Sequence, residues 1–196
     1  MSEALDRLKA ELEQFGADHD VATAERGDRM FNITRDTGEF LAVLVRATAA
    51  RRVLEIGTSN GYSTLWLAEA ARDIGGAVTT VESAQHKVSL AKVNFERSGL
   101  PCITLVHDDA GRFLRQTESS AFDLVFLDSE RSEYTRWWPE LRRALRTGGL
   151  LVVDNALSHS HELAPLVAHL KSATEFTTCL VPVGKGEFLA AKGSAT

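Results

Sequence analysis

The stretch R-V-L-E-I-G-T-S-N-G-Y-S, from Arg52 to Ser63, has the form of a buried strand that turns through two glycines into a helix. Gly57 and Gly61 allow the backbone to approach a ligand closely, and the start of the following helix presents free amide groups. This is where a nucleotide-like ligand sits in a parallel α/β sheet. A dinucleotide fingerprint requires G-x-G-x-x-G, but Ser59 stands where its second glycine would be. Glu55 carries a second signal, because a carboxylate beside the loop repels a pyrophosphate and suits a cation. The pattern therefore favours the sulfonium of S-adenosylmethionine over NAD. The plain alternative is an ordinary strand-to-helix turn.

Outward from this turn the chain alternates strand and helix. Strand 53–56 feeds helix 62–72, and strand 77–81 feeds a helix capped by Ser83 and stopped near Gly99. Strand 103–106 precedes a short helix at 111–115, strand 122–127 a helix at 132–146, and strand 150–153 a helix at 161–171. Two last strands, 176–181 and 187–191, flank the turn V-P-V-G-K-G and read as an antiparallel hairpin. The expected fold is a doubly wound, mostly parallel, seven-stranded α/β sheet with one reversed edge strand. Ahead of it, Ser2 to Phe15 carries Leu5, Leu8, Leu12 and Phe15 at helical spacing. A second helix at 40–50, with Thr34 as cap, carries Phe40, Leu41, Leu44 and Ala47. Residues 1–50 are expected to pack on the core and cover the ligand, with 17–34 as a mobile lid; residues 51–196 form the α/β core of the same domain.

The 196 residues carry a net charge of −5, 44% are hydrophobic and 25% charged, which describes a water-soluble globular chain and disfavours a general nucleic-acid binder. The charged N-terminus lacks an apolar signal core, so a cytoplasmic location and no membrane partner are expected. Cys102 and Cys179 lie in apolar strand-like runs, read as small buried thiols, and have no metal or redox spacing.

The strand ends carry a row of acids: Glu55, Glu82, Asp108 with Asp109, Asp128, and Asp154 with Asn155. Asp and Glu are depleted in strands, and a row of them crowds negative charge along one rim. Each could cap the helix that follows it. As a set they suit a site for a ribose diol, a cationic sulfur and a metal.

The segments L-E-I-G-T-S-N-G-Y-S-T, V-E-S, H-D-D-A, F-D-L-V-F-L-D-S-E-R and G-G-L-L-V-V-D-N-A-L resemble the cation-dependent O-methyltransferases, the class I family of catechol and caffeoyl-CoA O-methyltransferases. The resemblance spans nearly the whole chain, and the ordered pair F-L-D and V-D-N is its most specific part. It implies that Glu55, Gly57, Ser59, Gly61 and Ser63 face the methionine part of S-adenosylmethionine, with Ile33 nearby. Glu82 would take the ribose hydroxyls, Asp109 and Ala110 would lie beside the adenine, and Asp128 would border both cofactor and metal.

The resemblance further implies a divalent cation on Asp128, Asp154 and Asn155. Two carboxylates and an amide oxygen form a hard ligand set that favours Mg²⁺, Mn²⁺ or Ca²⁺. The alternative for Asp-Asn after a strand is a turn with its own side-chain cap. The catechol enzymes place a basic lysine three residues after the first metal aspartate, where this chain has Arg131. Arginine stays protonated and cannot serve as that base, so Arg131 would pair with an anionic substrate group or Glu133. Either the metal acidifies the hydroxyl enough that solvent takes the proton, or His159 is the base. Tyr134 and Trp137 could wall a flat acceptor or form a dimer contact, while Trp138, Leu141 and Leu145 read as a core stripe.

The expected activity is S-adenosylmethionine-dependent methylation of a small hydroxylated, catechol-like acceptor, with a homodimer as the expected assembly. One alternative is a tRNA hydroxyuridine methyltransferase, for which a basic surface at Arg142, Arg143, Arg146 and Lys171 would be the mark. The other is a non-catalytic cofactor-binding protein.

Overall fold

The computed structural model describes residues 3–194, so Ser2, the expected first residue of the N-terminal helix, lies outside the described residues. Seven strands form one sheet: β1 Arg52–Ile56, β2 Ala77–Glu82, β3 Ile103–His107, β4 Phe122–Leu127, β5 Leu145–Val153, β6 Phe176–Val181 and β7 Glu187–Lys192. Their order is β3-β2-β1-β4-β5-β7-β6. β1 to β5 run parallel, and β7 is antiparallel to both β5 and β6. The expected seven-stranded doubly wound fold is present, with one correction. The reversed strand is not at the edge; β7 inserts between β5 and β6, and β6 is the edge.

Side chains alternate between the two faces of each strand, and the core divides accordingly. Val53, Val78, Phe126 and Val152 pack under the helices α1 Glu3–Ala22, α2 Arg35–Ala47, α3 Tyr62–Asp73 and α4 Gln85–Ser98. Leu54, Val81, Leu127 and Leu151 face α5 Ala110–Gln116, α6 Tyr134–Ala144 and α7 Ser160–Ser172. On the first face α3 is buried from Tyr62 to Ala71, because α1 and α2 cover it. Lys9 of α1 reaches the carboxylate of Glu69 on α3 at 2.6 Å, with both side chains buried, and its ammonium lies 3.8 Å from the centre of the Trp66 ring. No helix among the described residues is long and apolar enough to cross a membrane.

Several expected boundaries move for identifiable reasons. α1 continues past Phe15 to Ala22, so the start of the expected lid is helical. The carboxylate of Asp20 then accepts the amides of Met30 (2.6 Å) and Phe31 (2.8 Å), which fixes the chain after the 3-10 turn Arg26–Asp28. α2 begins at Arg35 and buries Thr37, Gly38, Leu41, Ala42 and Val45, not the expected stripe through Leu44 and Ala47. Gly38 sets this rotation, since a Cβ there would fall 2.5 Å from the Trp66 indole nitrogen.

Thr34 occupies the cap position of α2, but its hydroxyl bonds Asp36 instead of a helix amide. Ser83 does not cap α4; its amide and that of Ala84 donate to Glu82. The helix expected to reach Arg146 ends at Ala144, because Leu145 pairs with Phe122 and opens β5. Arg146 then bonds Asp123 at 2.7 Å. Residues 146–148 bulge outward before regular pairing resumes at Leu150. The cysteines are not fully buried: Cys102 is half-buried and Cys179 is exposed on β6.

Candidate active site

The sheet order reverses between β1 and β4, and at the carboxyl ends of the strands there lies a cavity of about 740 Å³. The loop after β1 forms its floor. Gly57 has φ of 103°, and a Cβ there would fall 2.0 Å from the backbone oxygen of Asp128, so only glycine lets this loop pass the end of β4. Ser59 is held at φ of 50°, and its hydroxyl donates to the Met30 carbonyl at 2.8 Å. This bond ties the floor to the segment that roofs the cavity through Arg26, Gly27, Met30 and Phe31.

One end of the cavity is built around Glu82. Its carboxylate accepts the amides of Ser59 (2.9 Å), Ser83 (3.0 Å) and Ala84 (2.9 Å), which fixes its direction at the cavity wall and leaves about one of its four lone-pair sites free, on Oε2. Asp109 caps α5 by accepting the Arg112 amide at 2.8 Å, and Ala110 opens that helix beside it. Such an end, with a fixed carboxylate and a capped helix start, can hold a ribose diol and a ring edge.

At the other end Asp128, Asp154 and Asn155 converge. Asn155, in a left-handed conformation at φ of 67°, places its amide nitrogen 2.8 Å from Asp154 and 3.3 Å from Asp128. Burial raises the Asp128 carboxyl well above the usual range, and the nearby charges of Asp154 and Glu55 add to the rise. Burial likewise raises Asp154. Beneath them Glu187, fully buried at the start of β7, shares a hydrogen bond with Asp154 and accepts one from Thr37 at 3.2 Å. Burial and the charge of Asp154 push its carboxyl up to about 10. Crowded carboxyls of this kind favour protons or a cation. Among the described residues no three His, Cys, Asp or Glu form a metal-holding group. The donor set here is two carboxylates with an amide, which could hold a hard cation after a turn of the Asn155 amide.

Of the residues singled out in the sequence, Gly57, Ser59, Glu82, Asp109, Ala110, Asp128, Arg131, Asn155 and His159 line the cavity. Ile33, Glu55, Gly61, Ser63 and Asp154 stand behind that lining. Glu55 accepts hydroxyl bonds from Ser63 (2.5 Å), Thr64 and Thr80 (2.6 Å), joining β1, β2 and α3. Its burial outweighs these bonds and raises its pKa to about 7. Gly61 caps α3 with φ of 90°.

Arg131 pairs with Glu162 of α7 at 2.7 Å, not with Glu133, which pairs with Arg136. His159 bonds the Ser158 hydroxyl through Nδ1 at 2.8 Å. Burial lowers its pKa, and Arg131, Arg26 and Lys185 lower it further. Tyr134 is buried and accepts the Ser129 amide at 2.6 Å; Trp137, mostly buried, contributes to the wall. The sequence reading missed Lys185, Arg26, Met30 and Glu187. Glu187 carried a usable signal, an acid at the head of an apolar strand.

Of the four cations expected to mark an RNA enzyme, the three arginines are bonded within the fold, while Lys171 is exposed. Arg142 meets Glu175, Arg146 meets Asp123, and Arg143 donates to the carbonyls of Thr117 and Leu114. Those charges brace α5, α6 and the sheet.

A sequence profile described as O-methyltransferase matches residues 8–192. A catechol O-methyltransferase of Mycobacterium tuberculosis is 36% identical over 126 residues, covering 64% of this chain and 57% of the relative. One of Niastella koreensis is 30% identical over 138 residues, covering 68% of this chain and 62% of the relative. The chain thus aligns with about three fifths of the length of these two proteins. The crystal structure of cofactor-bound Rv0187 from MTB superimposes with a TM-score of 0.81 at 27% identity, covering all of this chain and 92% of the other.

Proposed function

The chain belongs to the O-methyltransferase family, and from that premise we propose that it moves a methyl group from S-adenosylmethionine to one of two adjacent hydroxyls on a small catechol-like acceptor, with a divalent cation at Asp128, Asp154 and Asn155. The observation that carries this reading is the two-ended cavity: a fixed Glu82 carboxylate at one end and the converging Asp128 and Asn155 at the other.

Glu82 accepts from the ribose diol through Oε2, the oxygen on which its three amides leave a lone pair free. Asp109 and the amide of Ala110 border the adenine. Gly57 and Ser59 give the methionine part room at the end of β1, while Glu55 acts from behind, holding Ser63 and Thr64 of α3. A bound divalent cation would grip both acceptor oxygens and lower the pKa of the hydroxyl to be methylated. Asp128, Asp154 and Asn155 fix where those oxygens lie, and Glu187 with Thr37 holds Asp154 from below. Methyl transfer is an in-line displacement, so this placement is the protein's main contribution.

Arg131 is engaged with Glu162 and takes no proton. His159, kept neutral by burial and by the cations around it, is the side chain at this end fit to receive one. Arg142 and Arg146 are each engaged with a carboxylate of the fold, which supports a small acceptor over tRNA.

The test is transfer of labelled methyl to catechol with Mg²⁺, after chelation, and in an Asp154→Ala, Asn155→Ala variant. Catechol should be methylated, chelation should abolish the reaction, and the variant should still bind S-adenosylmethionine. Turnover at full rate after chelation overturns the cation, and a catechol that is never methylated overturns the acceptor.

A further inference from the structure

The acceptor end of the cavity carries more positive charge than its own acids engage. Five cations line the cavity: Arg26, Lys87, Arg131, Arg136 and Lys185. Lys87 donates to the Arg29 carbonyl at 2.7 Å, Arg131 holds Glu162, and Arg136 holds Glu133. Glu130, also on this rim, accepts the Ser132 hydroxyl at 3.0 Å. Among the described residues neither Arg26 nor Lys185 has a carboxylate within ion-pair distance.

The two come from separate elements and line the same cavity as His159. Arg26 sits in the 3-10 turn of the roof, with its guanidinium 5.3 Å from the centre of the Phe31 ring. Lys185 sits in the turn between β6 and β7, where its carbonyl accepts the amides of Leu157 (3.0 Å) and Ser158 (3.1 Å). Both act electrostatically on His159, and Lys185 also on Asp128 and Asp154. Cations that line a concave space attract an anion more strongly than the same charges on an open surface.

We infer that Arg26 and Lys185 form an anion subsite, so that the preferred acceptor is a catechol bearing a carboxylate on its ring or on a short side chain. This inference rests on the reading of the cavity as a catechol site. Arg26 supplies a planar fork that can take a carboxylate through two N–H bonds, and Lys185 adds a point charge. Neutral catechol leaves both without a partner, and a catecholamine places its ammonium against them.

The experiment measures, by calorimetry on the full chain loaded with S-adenosylhomocysteine and Mg²⁺, the affinities of 3,4-dihydroxybenzoate, catechol and dopamine. Methyl transfer to each is measured in parallel. The carboxylate should bind about tenfold more tightly than catechol, and dopamine more weakly than either, the tenfold being the worth of one charge-assisted bond. In Arg26→Ala with Lys185→Ala the ratio of carboxylate to catechol affinity should fall toward one, and Arg26→Glu should favour dopamine. Equal affinities in the wild type, or a ratio unmoved in the variants, overturn the subsite even if catechol is methylated. If the carboxylate binds through these residues while no catechol is methylated, the proposed reaction falls and the subsite stands. If none of the three binds, both fall.

Discussion

Asp123, at the start of β4, provides the sharpest test of how the sheet is held together. Its carboxylate accepts the backbone amides of Arg51 (3.0 Å) and Arg52 (2.8 Å), the Arg52 guanidinium (2.8 Å) and Arg146 Nε (2.7 Å). Burial alone would push this carboxyl up, but the bonds from Arg52 and Arg146 outweigh it and hold the pKa at about 2, from an ordinary value of 3.8. A carboxyl depressed in the folded state adds stability above its unfolded pKa and loses it as pH falls toward the folded value. At about 1.4 kcal/mol for each pH unit, the contribution is about 2.5 kcal/mol at pH 7 and about half that at pH 3. The Asp123 side chain is 10% exposed but its partners Arg52 and Arg146 are 53% and 34% exposed, so solvent screening trims this contribution.

Asp123→Asn keeps the shape and an acceptor for the two amides while removing the charge that the arginines face. It should lower unfolding free energy by about 2 kcal/mol at pH 7, with the gap narrowing by about 1 kcal/mol at pH 3. Urea unfolding followed by fluorescence of the buried Trp66, Trp137 and Trp138 measures both. Coincident curves at pH 7, or a gap as wide at pH 3 as at pH 7, would refute the linkage.

Glu82→Gln preserves size but loses the charge, and should weaken S-adenosylmethionine binding by roughly 1.5–3 kcal/mol, about ten- to 150-fold. Calorimetric titration giving an unchanged affinity in a folded variant removes Glu82 from the ribose. Lys9→Ala leaves Glu69 buried beside only a distant Arg72, at 4.0 Å, and should destabilise the fold by about 3–5 kcal/mol, with Lys9→Met, Glu69→Leu recovering most of the loss. A single variant as resistant to urea as the wild type contradicts that account.

The strand-glycine-helix turn and the strand-end acids were legible because their meaning is local: each acid follows an apolar run directly. What escaped depended on partners far along the chain. Glu55 looked like a ligand for a cation beside the loop, but Thr80 from the neighbouring strand and Ser63 and Thr64 from the next helix take its oxygens. Arg131 finds Glu162 on α7, a pairing no spacing announces. Leu145 satisfied the helical stripe through Leu141 and equally well a strand position opposite Phe122, and the sheet decided between them. The first helix, expected over Ser2 to Phe15, runs on through a buried Gly16, where a Cβ would lie 2.4 Å from the Asn32 side chain, a contact no spacing along the helix announces.

The insertion of β7 between β5 and β6 also sets a timetable. A ribosome makes β5 well before β7, so for that interval the strand Leu145–Val153 exposes an unpaired apolar edge, the usual template for sticking to another chain. The same late strand brings Glu187 under Asp154 and carries the turn whose Lys185 and Gly186 carbonyls receive the amides of 156–158. The cavity is therefore completed only once β7 has been made. A nascent chain interrupted ahead of Glu187 faces aggregation through β5, and a chaperone covering that one edge would protect the whole fold.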